Sequence, residues 1–103
     1  MAVMVMVKLR SQSEYDEVGR ELVRRGVTST ALLSHVSAAT DDGFLVVDIW
    51  PSRQAWEQFA SSQLEPCMKA VGGVARPEIK IFEAYNVGWP GRMAAAEEQP
   101  QAH

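Results

Sequence analysis

The residues best suited to chemistry sit in the middle of the chain. From Phe44 onward, Phe44, Val46, Asp48 and Trp50 share one face of a period-two strand, while Leu45, Val47 and Ile49 share the other. Just before them, Thr40-Asp41-Asp42-Gly43 reads as a hairpin, with Asp42-Gly43 suited to a type I′ turn. A two-residue Asp42-Gly43 loop pairs Asp41 with Phe44. Continued along the ladder, it sets Ser37 opposite Asp48 and His35 opposite Trp50. Cross-strand neighbours lie ~5 Å apart and diagonal ones ~7–8 Å. His35, Asp48 and Trp50 are therefore expected to cluster on one surface. A loop of odd length would turn His35 to the opposite face.

A half-buried histidine beside a carboxylate is a general base. The carboxylate selects the imidazole tautomer and supports its protonated form. The same pair also serves as a plain polar contact across a hairpin, and spacing alone does not separate the two. Leu45, Val47 and Ile49 are purely aliphatic and are expected to pack on helices. The set holding Asp48 and two aromatics is expected to face away from them.

Other side chains join as substrate-binding candidates. Trp50 and Phe44 offer aromatic platforms, or simply core. Trp56 begins the second helix on its apolar stripe, where packing is the ordinary role. Tyr85 and Asn86 close the last strand and offer polar groups, or a strand-end cap. Tyr15 lies on the inner stripe of the first helix, with its hydroxyl expected at the rim.

Composition narrows the classes of function. Ten basic residues face thirteen acidic ones, for a net charge of -3, and no basic run exceeds Arg24-Arg25. Nucleic-acid binding calls for a clustered cationic footprint, so no nucleic-acid partner is expected. The single cysteine, Cys67, excludes an internal disulfide and a multi-cysteine zinc site, and fits a cytoplasmic location. His35 and His103 are the only histidines, so no metal centre is expected. Phosphate loops, nucleophile elbows and dinucleotide fingerprints do not occur, and no cofactor is expected. The apolar opening Met1-Ala2-Val3-Met4-Val5-Met6-Val7 is too short for a membrane span and lacks a preceding basic region, so it reads as a strand.

The elements that must position these residues follow from periodicity. Residues 2–9 form a strand apolar on both faces, which implies cover on both faces. A helix spans 14–25. Ser11 and Ser13 are N-cap candidates, Tyr15, Val18, Gly19, Leu22 and Val23 form one face, Glu21 pairs with Arg25, and Gly26 ends it. Residues 30–39 read as a strand, and Phe44 to Trp50 as a stronger one. Ser52 caps a second helix, which Pro66 breaks or kinks, leaving a short piece at about 65–71 that Gly72-Gly73 stops. Residues 78–86 make the last strand. The order β-α-β-β-α-β is the ferredoxin-like α+β plan, an antiparallel sheet with both helices on one face. Residues 1–87 thus form one domain. Residues 88–103 read as a flexible tail, in which Trp89 is the exception, either docked on the body or a partner or free like the rest.

The segment Thr40-Asp41-Asp42-Gly43-Phe44-Leu45-Val46-Val47-Asp48-Ile49-Trp50-Pro51-Ser52-Arg53-Gln54-Ala55-Trp56-Glu57-Gln58-Phe59 resembles the hairpin-to-helix region of small actinobacterial-type proteins in the dimeric α+β barrel superfamily. They are similar to the antibiotic biosynthesis monooxygenase group. Leu64-Glu65-Pro66 and Glu83-Ala84-Tyr85-Asn86-Val87 extend the likeness over roughly residues 2–87. The resemblance implies a homodimer with sheets face to face and a cavity in each protomer between sheet and helices or loops. Members include cofactor-independent oxygenases of polyketide phenols, heme-degrading oxygenases, lactone isomerases, cyclases and proteins without known activity. No helix histidine suits heme iron, because His35 falls on a strand. Trp50, Tyr85 and Asn86 supply residue types used by the oxygenases, though not motif by motif.

Three functions therefore compete. The first is a cofactor-independent monooxygenase acting on a small aromatic or polyketide-like substrate, with His35 held by Asp48 as its base. The second is a cyclase or isomerase using the same dyad without oxygen. The third is a non-catalytic dimer, either a ligand-binding or accessory protein or a purely structural one with no small-molecule site.

Overall fold

The computed structural model describes residues 1–28, 31–72 and 76–88. The tail expected at 88–103, with Trp89, falls outside the described residues apart from Gly88. So do Thr30 and Gly73.

Four strands build one antiparallel sheet: β1 (Val3–Leu9), β2 (Ser34–Thr40), β3 (Gly43–Trp50) and β4 (Glu78–Glu83). Their spatial order is β2-β3-β1-β4, so the two valine-rich strands lie at the centre. Helix α1 (Gln12–Arg24) connects β1 to β2. Helix α2 (Arg53–Phe59), a wide π-helical turn (Ala60–Leu64) and helix α3 (Glu65–Val71) lead from β3 towards β4. The expected ferredoxin-like order is what the chain adopts.

Local chemistry sets the helix ends. The Ser11 hydroxyl accepts from the Glu14 amide at 3.3 Å. The Glu14 carboxylate takes the Arg10 amide at 2.9 Å and the Arg10 guanidinium. At the other end Gly26, at φ 70°, allows the chain to reverse. Val27 N–H donates to Leu22 O and Gly26 N–H to Val23 O, a Schellman ending. Ser52 caps α2 by accepting from Ala55 N–H at 3.1 Å. Pro66 has no amide to donate and its ring crowds the carbonyl one turn back. The chain answers with the wide turn just upstream, where the Ser61 hydroxyl bonds back to Glu57 O and the Ser62 hydroxyl to Gln58 O.

The hairpin differs from expectation in register. Thr40 pairs with Gly43, Ser37 with Val46 and His35 with Asp48. The turn residues are thus Asp41-Asp42, and the ladder is displaced by two positions. No non-glycine residue among those described has positive φ, nor does Gly43, so the turn is not type I′. Thr40 Oγ1 and Lys8 Nζ both donate to the Asp42 carboxylate and hold the turn without left-handed backbone. Gly43 is needed for a different reason. A Cβ there would lie 2.5 Å from the Leu9 carbonyl oxygen on β1.

A displacement of two preserves which residues share a face, but the faces themselves are reversed relative to expectation. Phe44, Val46, Asp48 and Trp50 point to the helices with Val3, Val5, Val7 and Leu9, and all are buried. Trp50 packs on Trp56 and Phe59 of α2, and Phe44 on Tyr15 of α1. Leu45, Val47 and Ile49 lie on the open face with Met4 and Met6, half-buried. The reason is volume and pairing. Large rings are needed to fill the gap between sheet and helix layer, and a carboxylate is tolerated there once hydrogen-bonded.

Candidate functional site

The reversal moves the candidate chemistry from the outer sheet face to the space between sheet and helices. That space holds a cavity of about 340 Å³, in the size range of small-molecule sites. Its floor is Val7, Val46, Asp48 and Trp50, and its roof includes Val18 and Leu22 of α1 and Met68 of α3. Among the described residues, its ionisable lining groups are Tyr15, His35 and Asp48.

These three form a chain. His35 Nδ1 lies 2.6 Å from Asp48 Oδ1, directly across β2 and β3. His35 Nε2 lies 2.7 Å from the Tyr15 hydroxyl. The Asp48 side chain is 10% exposed and that of His35 39%, so the pair runs from the interior to the cavity rim. Burial pushes the Asp48 carboxyl above its ordinary range, against the opposing pull of the His35 hydrogen bond. With Asp48 ionised, it accepts from Nδ1–H. Nε2 then carries the lone pair and the Tyr15 O–H donates to it.

Two aromatic contacts hold Tyr15. Its ring stacks on His35 with centroids 6.0 Å apart and 19° between planes, and lies 4.9 Å from Phe44. Trp50 is almost wholly buried, and its indole N–H makes no hydrogen bond among the described residues. It stands near enough to Asp48 to favour the charged carboxylate.

Of the residues singled out from sequence, His35, Asp48, Trp50, Trp56 and Tyr15 line one cavity. Phe44 lies behind Tyr15 as its support. Tyr85 is 86% exposed and Asn86 is exposed beyond the end of β4, outside the cavity. Sequence reasoning did not single out Leu32, Phe59, Leu64 or Met68 as walls. The apolar stripe of the second helix was the available signal for Phe59 and Leu64. Leu32 precedes β2 and carried none. Among the described residues, no cluster of three or more His, Cys, Asp or Glu is placed to hold a metal ion, and no helix is long and apolar enough to cross a membrane.

No protein-family model matches the chain, and no curated protein matches it. Solved structures do match. One is a protein of Chloroflexus aurantiacus provisionally named an antibiotic biosynthesis monooxygenase, with TM-score 0.62, 16% identity, and 88% of this chain against 100% of that one. A second is a single-site variant of SnoaB, a cofactor-independent oxygenase from Streptomyces nogalater, with TM-score 0.56, 12% identity, and coverage of 84% and 94%. A third is a dimeric ferredoxin-like protein of unknown function from Thermobifida fusca, with TM-score 0.59, 12% identity, and coverage of 82% and 92%. At such identities the likeness is one of architecture: this chain has the ferredoxin-like α+β fold of the antibiotic biosynthesis monooxygenase-like proteins.

Proposed function

We propose that the protein is a small cofactor-independent enzyme that binds an aromatic, polyketide-like substrate in the cavity between sheet and helices. His35 is its general base and Asp48 holds the imidazole in place. The observation that carries this reading is the Tyr15–His35–Asp48 chain ending in an apolar cavity. Proton removal from a phenol or an activated C–H leaves an electron-rich anion. Such an anion can reduce O2 with its own electrons, placing one oxygen atom in the product and the other in water. The protein's contribution is then deprotonation, orientation and exclusion of water. Likeness in fold to SnoaB supports oxygenase chemistry by analogy only.

The test is oxygen uptake with an oxidisable hydroxyanthrone. Uptake above the spontaneous rate, lost in His35→Ala, is the expected result. Conversion without oxygen consumption would move the reading to a cyclase or isomerase using the same dyad. Tight binding with no conversion would make the protein a binding or accessory module.

The working unit in this reading is a homodimer. Met4, Met6, Val36, Leu45, Val47, Ile49 and Phe82 share the open sheet face, with Val36 60% and Phe82 49% exposed. An apolar sheet face of this kind calls for cover. A second copy of this chain would supply it, and the Thermobifida fusca protein of like fold is named as a dimeric ferredoxin-like protein.

A further inference from the structure

We propose that Tyr15 is a catalytic residue, the group that takes the substrate proton and passes its own to His35. The inference rests on the reading of His35 as base and deepens it. Both ring nitrogens of His35 are engaged, Nδ1 by Asp48 and Nε2 by Tyr15. No basic lone pair of the imidazole is left facing the cavity. The Tyr15 oxygen donates to Nε2 and keeps its own acceptor sites. Tyr15 lines the cavity, held by its hydroxyl bond to His35 and by a tilted ring contact with Phe44. A phenolic ligand therefore meets the Tyr15 oxygen before it meets His35.

The step balances without a further reactant. The ligand O–H bond breaks, and its proton bonds to the Tyr15 oxygen while the electron pair stays on the ligand. The original Tyr15 O–H bond breaks in the same event, and that proton bonds to Nε2. The products are an aryloxide, a neutral Tyr15 and an imidazolium paired with the Asp48 carboxylate. Tyr15 ends by donating a hydrogen bond to the oxygen it has deprotonated.

The probe is p-nitrophenol, whose ionised form is yellow, added to the full-length chain, to Tyr15→Phe and to His35→Gln. Tyr15→Phe retains the ring that packs on Phe44, so the fold is kept. The wild type is expected to bind the probe in its yellow form. Both variants are expected to bind it with the ionised fraction lowered by about tenfold or more. In temperature-jump relaxation of the wild type, the rate should fall along a curve, not a line, as heavy water replaces water, because two protons move together. A yellow complex with Tyr15→Phe beside a colourless one with His35→Gln would overturn the relay while leaving His35 as base. A linear dependence on deuterium would overturn it too. A colourless wild-type complex, or no binding, would remove the base itself and the relay with it.

Discussion

His35 and Asp48 face each other directly across β2 and β3, and their side chains meet at 2.6 Å. The two backbones determine this contact, because a directly opposed pair on one sheet face has few alternatives. An Asp48→Asn variant keeps an acceptor for Nδ1–H but no longer stabilises the imidazolium. Oxidation of a hydroxyanthrone should slow by about a hundredfold with little change in KM, read by oxygen uptake. An equal rise in KM at constant kcat would instead make Asp48 a binding residue.

The same carboxylate gives a stability signature. Its folded pKa is raised, so the folded state holds this proton more tightly than the unfolded chain does. Stability should then decline as pH rises from the ordinary aspartate value of 3.8 through the raised one. Asp48→Asn should flatten that decline in Tm measured against pH.

Glu21 acts in the opposite sense. Arg24 and Arg25 hold its carboxyl at about 2, below its ordinary 4.5. Its contribution is present above 4.5 and is lost as pH falls towards 2. Both arginines are exposed, so the effect should be small and weakened by salt. Acid titration of Glu21→Gln beside the wild type, followed by circular dichroism, checks it.

Two glycines should respond in opposite directions to alanine. Gly43→Ala forces a methyl against the Leu9 carbonyl and should cost about 1–3 kcal/mol. Gly19 lies inside α1 with open space around its Cα, so Gly19→Ala should stabilise by about 0.5–1 kcal/mol. Urea denaturation of both variants measures the contrast.

Val47 lies at the centre of the open face, between Val36 on β2 and Met6 on β1. A Val47→Lys variant should halve the mass seen by analytical ultracentrifugation while keeping the far-ultraviolet spectrum of the wild type. A wild type that is already monomeric would overturn the homodimer.

The order of elements was legible because each carries a local signal. Ser11 and Ser52 cap, Gly26 terminates and Pro66 interrupts, all within a few residues of the feature they control. The grouping of His35 with Asp48 survived a register error of two because side chains on a strand repeat every two residues. Which face met the helices was not legible, since both faces of β1 and β3 are apolar. The presence of Asp48 suggested an outer face, whereas its partner His35 allows it to be buried. The Tyr15–His35 bond was out of reach for a different reason. It depends on how α1 is rotated and seated over the sheet, and no local pattern specifies that.

The wide turn at Ala60–Leu64 has a consequence for the cavity. An α-helix turns about 100° per residue, so Phe59 would be followed on its own stripe by Gln63. The extra residue in the turn advances the angular phase of the helix. Leu64 and then Met68 come round to the wall that Phe59 begins. What the ligand meets on that side is set by a step in phase as much as by residue type. Deleting one residue from the turn would leave a regular α-helix with Leu64 four places after Phe59, so the leucine would stay on the cavity wall without the wide turn.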